Sequence, residues 1–262
     1  MTPYRQITAE ERYALMVLQV QGLCPAAIEG LLCDDWSPEQ IAGWYARFHL
    51  LRIRHETIYR HIWADKRNGG ALHTHLRRAN KARRKRYAHY DSRGRLAHKR
   101  PIATRPAGAA NRSRIGHWEG DTVLGDSQGG GCILTLVDRK SRYTLIGKLA
   151  RRTCAEVNAR ARQLIRAQPR PVHTVTLDNG TAFHAYKALE ATMATRFYFA
   201  TPHHSWERGT NENTNGLVRQ YLPKRASMEH PTQRDCNRIA TKLNRRPRKR
   251  LGYRTPEECY EP

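Results

Sequence analysis

A chain with 23 acidic residues against 47 Lys and Arg makes any acid in an apolar setting informative. Asp121 lies inside His117-Trp118-Glu119-Gly120-Asp121-Thr122-Val123, a strand-like run where an ionised carboxylate is expensive unless it is paired or metal-bound. Asp178 follows Val175-Thr176-Leu177, at the carboxyl end of a short strand, where open α/β sheets place their ligands. Taken alone, Asp178-Asn179-Gly180 also reads as an ordinary turn. Glu212 sits in the stretch Trp206 to Pro223, where Thr210 is placed to cap a helix that Pro223 ends. Glu212 and Arg219 are seven residues apart, almost two turns, so both face one side together with Asn215. An exposed Glu on an amphipathic helix is the plain alternative. Thirty-three residues separate Asp178 from Glu212.

The elements that must position these acids follow from the pattern. Trp118–Leu124 reads as a strand, Cys132–Val137 as a near-continuous apolar central strand, and Tyr143–Leu149 as a third. Thr153-Cys154-Ala155-Glu156 is a capping box opening a helix with Val157, Ala161, Leu164 and Ile165 inward. Thr174–Leu177 is a short strand, Ala185–Ala194 a helix and Arg196–Ala200 a last strand. Three strands, helix, strand, helix, strand, then helices describe an α/β sheet opened by a meander. Upstream, Thr8-Ala9-Glu10-Glu11 and Ser37-Pro38-Glu39-Gln40 are helix-start signals, the latter with Ile41, Trp44 and Phe48 near one face. His55–Ile62 makes a further helix, so that a helix-turn-helix carrying Arg54, His55, Thr57 and Arg60 precedes the sheet.

The formal net charge of +24 points to a polyanionic partner. No apolar run approaches the roughly 20 residues needed to span a bilayer, so no membrane role is expected. The residues Met1–Gly22 mix Glu, Arg and Gln into their apolar positions, unlike a signal peptide. Six scattered cysteines without a Cys-x-x-Cys pair argue against a disulfide framework or zinc ribbon. Residues 77–114 hold fourteen Lys or Arg and one acid, a composition that reads as an arm tracking phosphates rather than a folding unit. A second basic run spans Arg245 to Arg250. The expected organisation is a helical DNA-binding region at 1–64, a basic linker at 65–115, and a catalytic core with carboxy-terminal helices at 116–262.

The segments His117–Thr122, Val137–Tyr143, Leu177–Gly180, Ser205–Leu222 and Leu243–Pro256, with the Asp178-to-Glu212 spacing, resemble those of Asp-Asp-Glu recombinases, specifically transposases of the IS thirty insertion-sequence family. Trp36–Gly43 and His55–Tyr59 are also similar to that family. The resemblance implies a ribonuclease H-like, integrase-type core: a mixed five-stranded sheet flanked by helices and preceded by small helix-turn-helix-like segments. It implies that Asp121, Asp178 and Glu212 are catalytic and hold two Mg²⁺ ions, with Mn²⁺ able to substitute; hard carboxylate oxygens suit such ions. Asp138 and Glu207 are the competing acids, Asp138 being assigned a supporting role. Arg219 is expected at the scissile or terminal phosphate. Asn215 and Trp206, with His203 and His204, are expected near DNA. Arg54, His55 and Arg60, then Arg83, Arg84, Lys85 and Arg86, and finally Arg248, Lys249 and Arg250 are the remaining DNA-binding candidates.

The implied function is cleavage and strand transfer at the ends of an insertion sequence. The partners are double-stranded DNA, at element ends and target, and further copies of the chain, with no small-molecule cofactor. The implied location is the bacterial cytoplasm, on the nucleoid. The alternatives are an inactive remnant that only binds DNA and a nuclease that cleaves without joining. The amino-terminal region departs from the family pattern: Ile28–Leu32 runs directly into Cys33-Asp34-Asp35-Trp36, and Arg54 stands where relatives have a Ser cap.

Overall fold

The computed structural model describes residues 25–49, 52–77, 99–126, 131–202, 204–224 and 226–261. The Thr8–Glu11 capping box, Arg83, Arg84, Lys85, Arg86 and His203 lie outside them. Two compact units divide the chain: Met1–Lys85 with Arg246–Thr255, and Arg86–Arg245 with Pro256–Pro262.

The first unit is built on α1 (Pro25–Cys33), α2 (Pro38–Arg47) and α3 (His55–Arg67). Ser37 forms the expected capping box. Its Oγ accepts from Gln40 N at 3.3 Å, and Gln40 Oε1 accepts from Ser37 N at 2.9 Å. Ile28, Leu32, Ile41, Tyr45, Ile53, Ile58 and Ile62 make its core. On α2 the buried aromatic is Tyr45, one turn after Ile41, while Phe48 is exposed beyond the helix end. Arg54 stands at the α3 N-cap without a side-chain cap bond, as its residue type dictates.

The second unit opens with α4 (Ala107–Ala110), followed by β1 (His117–Leu124), β2 (Cys132–Asp138), β3 (Thr144–Leu149) and α5 (Cys154–Arg166). After these come β4 (Thr174–Leu177), α6 (Tyr186–Glu190), β5 (Arg196–Phe199), α7 (Gly209–Val218), α8 (Gln233–Asn244) and α9 (Pro256–Tyr260). The sheet order is β3-β2-β1-β4-β5. The β1–β2 and β2–β3 pairs are antiparallel, and the β1–β4 and β4–β5 pairs parallel. This is the mixed five-stranded α/β sheet of the ribonuclease H type that the sequence predicts.

Alternation along each strand divides the core into two layers. Trp118, Leu134, Leu136, Val175, Leu177, Phe197 and Phe199 pack against α5 and α6. Val123, Ile133 and Ile146 pack instead against Leu217 and Val218 of α7 and Cys236, Ile239 and Leu243 of α8. β2 is buried at every position, which explains its unbroken apolar sequence. Part of the basic stretch also has structure here. Phe199 N donates to Arg100 O at 2.9 Å, and Pro101 bridges to Phe199, so this segment closes the edge of β5 with a residue that has no N–H to offer.

Two helices differ from expectation. α6 spans only Tyr186–Glu190: past it Thr192 N donates to Leu189 O in a tighter i→i−3 turn, and the Thr192 hydroxyl donates to the carbonyls of Ala188 and Leu189. α7 begins at Gly209, entered from a 3₁₀ turn at Ser205–Arg208, so Thr210 lies within the helix on its buried side and does not cap it. Its last helical residue is Val218, well before Pro223.

Candidate catalytic centre

The β1–β4 register brings the two aspartates together. His117 pairs with Thr174, Trp118 with Val175 and Glu119 with Thr176. Carrying that offset two residues further sets Asp121 beside Asp178. Since side chains alternate, Asp121 shares a face with Glu119, and Asp178 shares it with Thr176. That face is the one covered by α7, the helix that carries Glu212. On the opposite face, a Cβ at Gly120 would press into the layer under α5 and α6, 2.7 Å from Leu177 Cδ2 and 3.1 Å from Leu136 Cδ2.

Asp121 is firmly held. Its Oδ2 accepts from Asn215 Nδ2 at 2.8 Å and its Oδ1 from Thr122 N at 2.9 Å. Thr135 Oγ1 donates to Asn215 Oδ1 at 3.1 Å, which fixes the amide so that its NH₂ points at the carboxylate. Burial raises the Asp121 pKa above its ordinary value; Arg208 opposes the shift and the Asp178 charge adds to it. The Arg208 guanidinium stands between the two, with Nη1 3.8 Å from Asp121 Oδ1 and Nη2 3.9 Å from Asp178 Oδ2. Its Nη1 also donates to Gly120 O at 3.1 Å. Asp178 is fixed locally by Gly180 N, which donates to its Oδ1 at 2.9 Å. Around the same turn, Lys99 Nζ donates to Asn179 Oδ1, and Arg152 donates to Thr122 Oγ1 at 3.0 Å.

Glu212 is exposed, one turn beyond Arg208 on the same side of α7 as Asn215. Asp121 and Asp178 thus share Arg208, while Glu212 is not drawn into contact with them. Among the described residues no three His, Cys, Asp or Glu side chains form a set that could hold a metal ion. Arg219 Nη2 donates to Leu124 O at 2.6 Å, tying the end of α7 to the end of β1.

The competing acids are engaged elsewhere. Asp138 is fully buried and accepts from Gly116 N, Lys140 N, Ser141 N and Ser141 Oγ, so it organises the β2–β3 turn. Glu207 accepts from Thr201 N at 2.7 Å and Thr201 Oγ1 at 3.0 Å. A third acid has a supporting place that residue types alone do not reveal. Glu119 is buried against Arg139, and its Oε2 accepts from Asn211 N at 3.0 Å. That bond satisfies an N–H in the first turn of α7 from the strand beneath it, in the place of a local cap. Sequence reasoning also missed Arg208 and Thr135. Arg208 is four residues before Glu212, a readable spacing. Thr135 is the one polar residue between Cys132 and Val137 and sits on the Ile133 face, which is the visible trace of its role.

The DNA-binding candidates fall in both units. Asn215 is at the centre described above, whereas Arg219 sits past it, where α7 ends against Leu124 O. Trp206 lies in the 3₁₀ turn Ser205–Arg208. Arg54 and Arg60, with Glu56 and Thr57, line an open depression on α3, and His55 sits 3.1 Å from Glu56. Arg248, Lys249 and Arg250 lie in the segment that belongs to the first unit. Among the described residues no helix is long and apolar enough to cross a membrane.

These features define the class: a mixed sheet with two aspartates from adjacent strands beneath a helix is an integrase-type core, and a family model described as the integrase core domain matches residues 111–205. The chain is 42% identical to the transposase for insertion sequence element IS4351 of Bacteroides fragilis over 88% of its length, covering 71% of that protein. It is 39% identical to transposase InsI for insertion sequence element IS30A of Escherichia coli over 86% of its length, covering 61% of that protein. Among solved structures, the catalytic core domain of BIV integrase is 20% identical, with a TM-score of 0.43 over 55% of this chain and 93% of that one. The chain belongs to the insertion-sequence transposases of the IS thirty family.

Proposed function

We propose that this chain cleaves DNA at the ends of an insertion sequence and joins those ends to target DNA, acting on the bacterial nucleoid as a homo-oligomer on paired ends. The observation that carries the reading is the register that sets Asp121 beside Asp178 under α7. The donor set fits Mg²⁺ or Mn²⁺: hard carboxylate oxygens, one of them with its proton affinity raised by burial and a neighbouring charge that a divalent cation would offset. Asp121 and Asp178 would hold such ions, and Glu212, which stands apart from them on α7, would have to approach to complete a two-ion set. When bound, the ions would supply activation of a water or 3′-hydroxyl and stabilisation of the leaving oxygen.

The chain's own residues prepare that chemistry. Asn215, oriented by Thr135, fixes the Asp121 carboxylate. Arg208 offsets the paired negative charge. Lys99, Arg152 and Arg219 provide positive charge around the carboxylates for the phosphates of the scissile strand. The test is a strand-transfer assay with paired end substrates and Mg²⁺. Asp178→Asn is expected to abolish both cleavage and joining; full activity in that variant would refute the assignment. Cleavage without joining by the wild-type chain would favour a nuclease. Salt-sensitive binding with no nicking would favour a DNA-binding remnant.

A further inference from the structure

The segment Arg246–Thr255 clusters with the helical unit, and several of its contacts fall on or beside α2. Gln40 Nε2 donates to Pro247 O at 2.9 Å, so the residue that closes the α2 capping box also holds this segment. Lys249 Nζ is 2.7 Å from Glu39 Oε1, and the buried Arg246 guanidinium is 3.5 Å from Asp35 Oδ2. Gly43 forms the seat of the Tyr253 ring: a Cβ at that glycine would lie 2.2 Å from Tyr253 Cε1. The tip is a tight turn, with Arg248 N bonded to Arg254 O and Tyr253 N bonded to Arg248 O, both at 2.9 Å. It holds Tyr253 at φ 59, a region that a bulky residue rarely adopts without support from its surroundings. Five of its ten residues are Lys or Arg and none is acidic, and Arg250 and Arg254 are exposed.

In a helix-turn-helix the second helix enters the major groove and the first crosses the phosphate backbone. Here α2 is the first and α3 the second. A basic loop fastened to α2 travels with the backbone-crossing helix. Its Lys249 also offsets Glu39, the acid on α2 that would oppose a phosphate. We infer that Arg246–Thr255 is a detached part of the DNA-reading unit, and that Arg250 and Arg254 contact the duplex backbone beside α2 while α3 faces the groove. The inference rests on the proposed DNA function, and its test separates the two.

The full chain is titrated against a labelled duplex by fluorescence anisotropy over a range of salt. Arg250→Ala and Arg254→Ala are each expected to flatten the slope of log K against log salt by about 0.9, and the double variant by about 1.8. Both residues are exposed, so the thermal midpoint is expected to stay put. Gly43→Leu, which displaces the Tyr253 ring while favouring the α2 helix, is expected to reproduce the double variant's loss. If Arg54→Ala and Arg60→Ala weaken binding while the Arg250 and Arg254 variants leave affinity and slope unchanged, the inference fails and the DNA function stands. If none of the four affects binding, the DNA function falls with it.

Discussion

Asp121 shows how much of a candidate site is decided by the residues that hold its carboxylate in place. Asn215 and Thr135 spend their hydrogen bonds on keeping one carboxylate oriented. Outer partners of this kind typically contribute about 10–100-fold to metal affinity or activity. Asn215→Ala is therefore expected to lose that much Mn²⁺ affinity, read by calorimetry, with a parallel loss of strand transfer. Asp235 makes a simpler case. The Thr232 N–H and hydroxyl donate to its carboxylate at 3.0 and 2.8 Å and hold its pKa below the ordinary value. A depressed folded pKa gives stability that is present above the unfolded value, about 3.9, and lost as pH falls through the folded one. The thermal midpoints of the wild type and Asp235→Ala are thus expected to differ at pH 6 and to converge as pH falls through the depressed folded pKa. At this scale the sequence was most legible for the acids themselves, because a carboxylate in an apolar run is costly and stands out. Arg208 was not legible as their counter-charge: its helical spacing could be read, but its targets lie on two strands far away in the chain.

Elements bring those residues together, and the parallel β1–β4 pair is the decisive one. The strands could be read from their apolar runs and Asp178 from its place at a strand end, but a register across an intervening helix is set by packing that no local pattern carries. The same holds for α7. Thr210 looked like its cap, yet the turn at Ser205–Arg208 leads into the helix and Glu119 satisfies Asn211 N from below. The Glu119–Arg139 pair that anchors this contact is buried, with side chains 0% and 3% exposed. Arg139→Met would strand Glu119 in the core, and a loss of about 3–5 kcal/mol is expected by urea denaturation. Adding Glu119→Leu is expected to recover most of it, at the expense of the α7 start. A fully local account of α7 would predict no such coupling.

For the whole molecule, a net charge of +24 sets long-range attraction while the folded units decide where it is used. Wild-type affinity for duplex DNA is expected to fall steeply between 50 and 200 mM salt, on the order of 10³–10⁵ for 6–10 phosphate contacts. A change under tenfold in anisotropy titrations would mean that few of these charges meet phosphate. Composition made the class of partner legible. It did not reveal that Arg246–Thr255, read as one more basic run near the core, packs on α2.

That packing has a bearing on how the protein is made. Synthesis runs from the amino terminus, so α1 to α3 emerge long before residues 246–255 exist. While the ribosome is still translating the sheet, Gly43 and Gln40 wait without Tyr253 and Pro247. A chain released early from its message would carry α1 to α3 without the segment that packs on α2. Under the proposed reading, tight engagement of DNA would follow synthesis through residue 255.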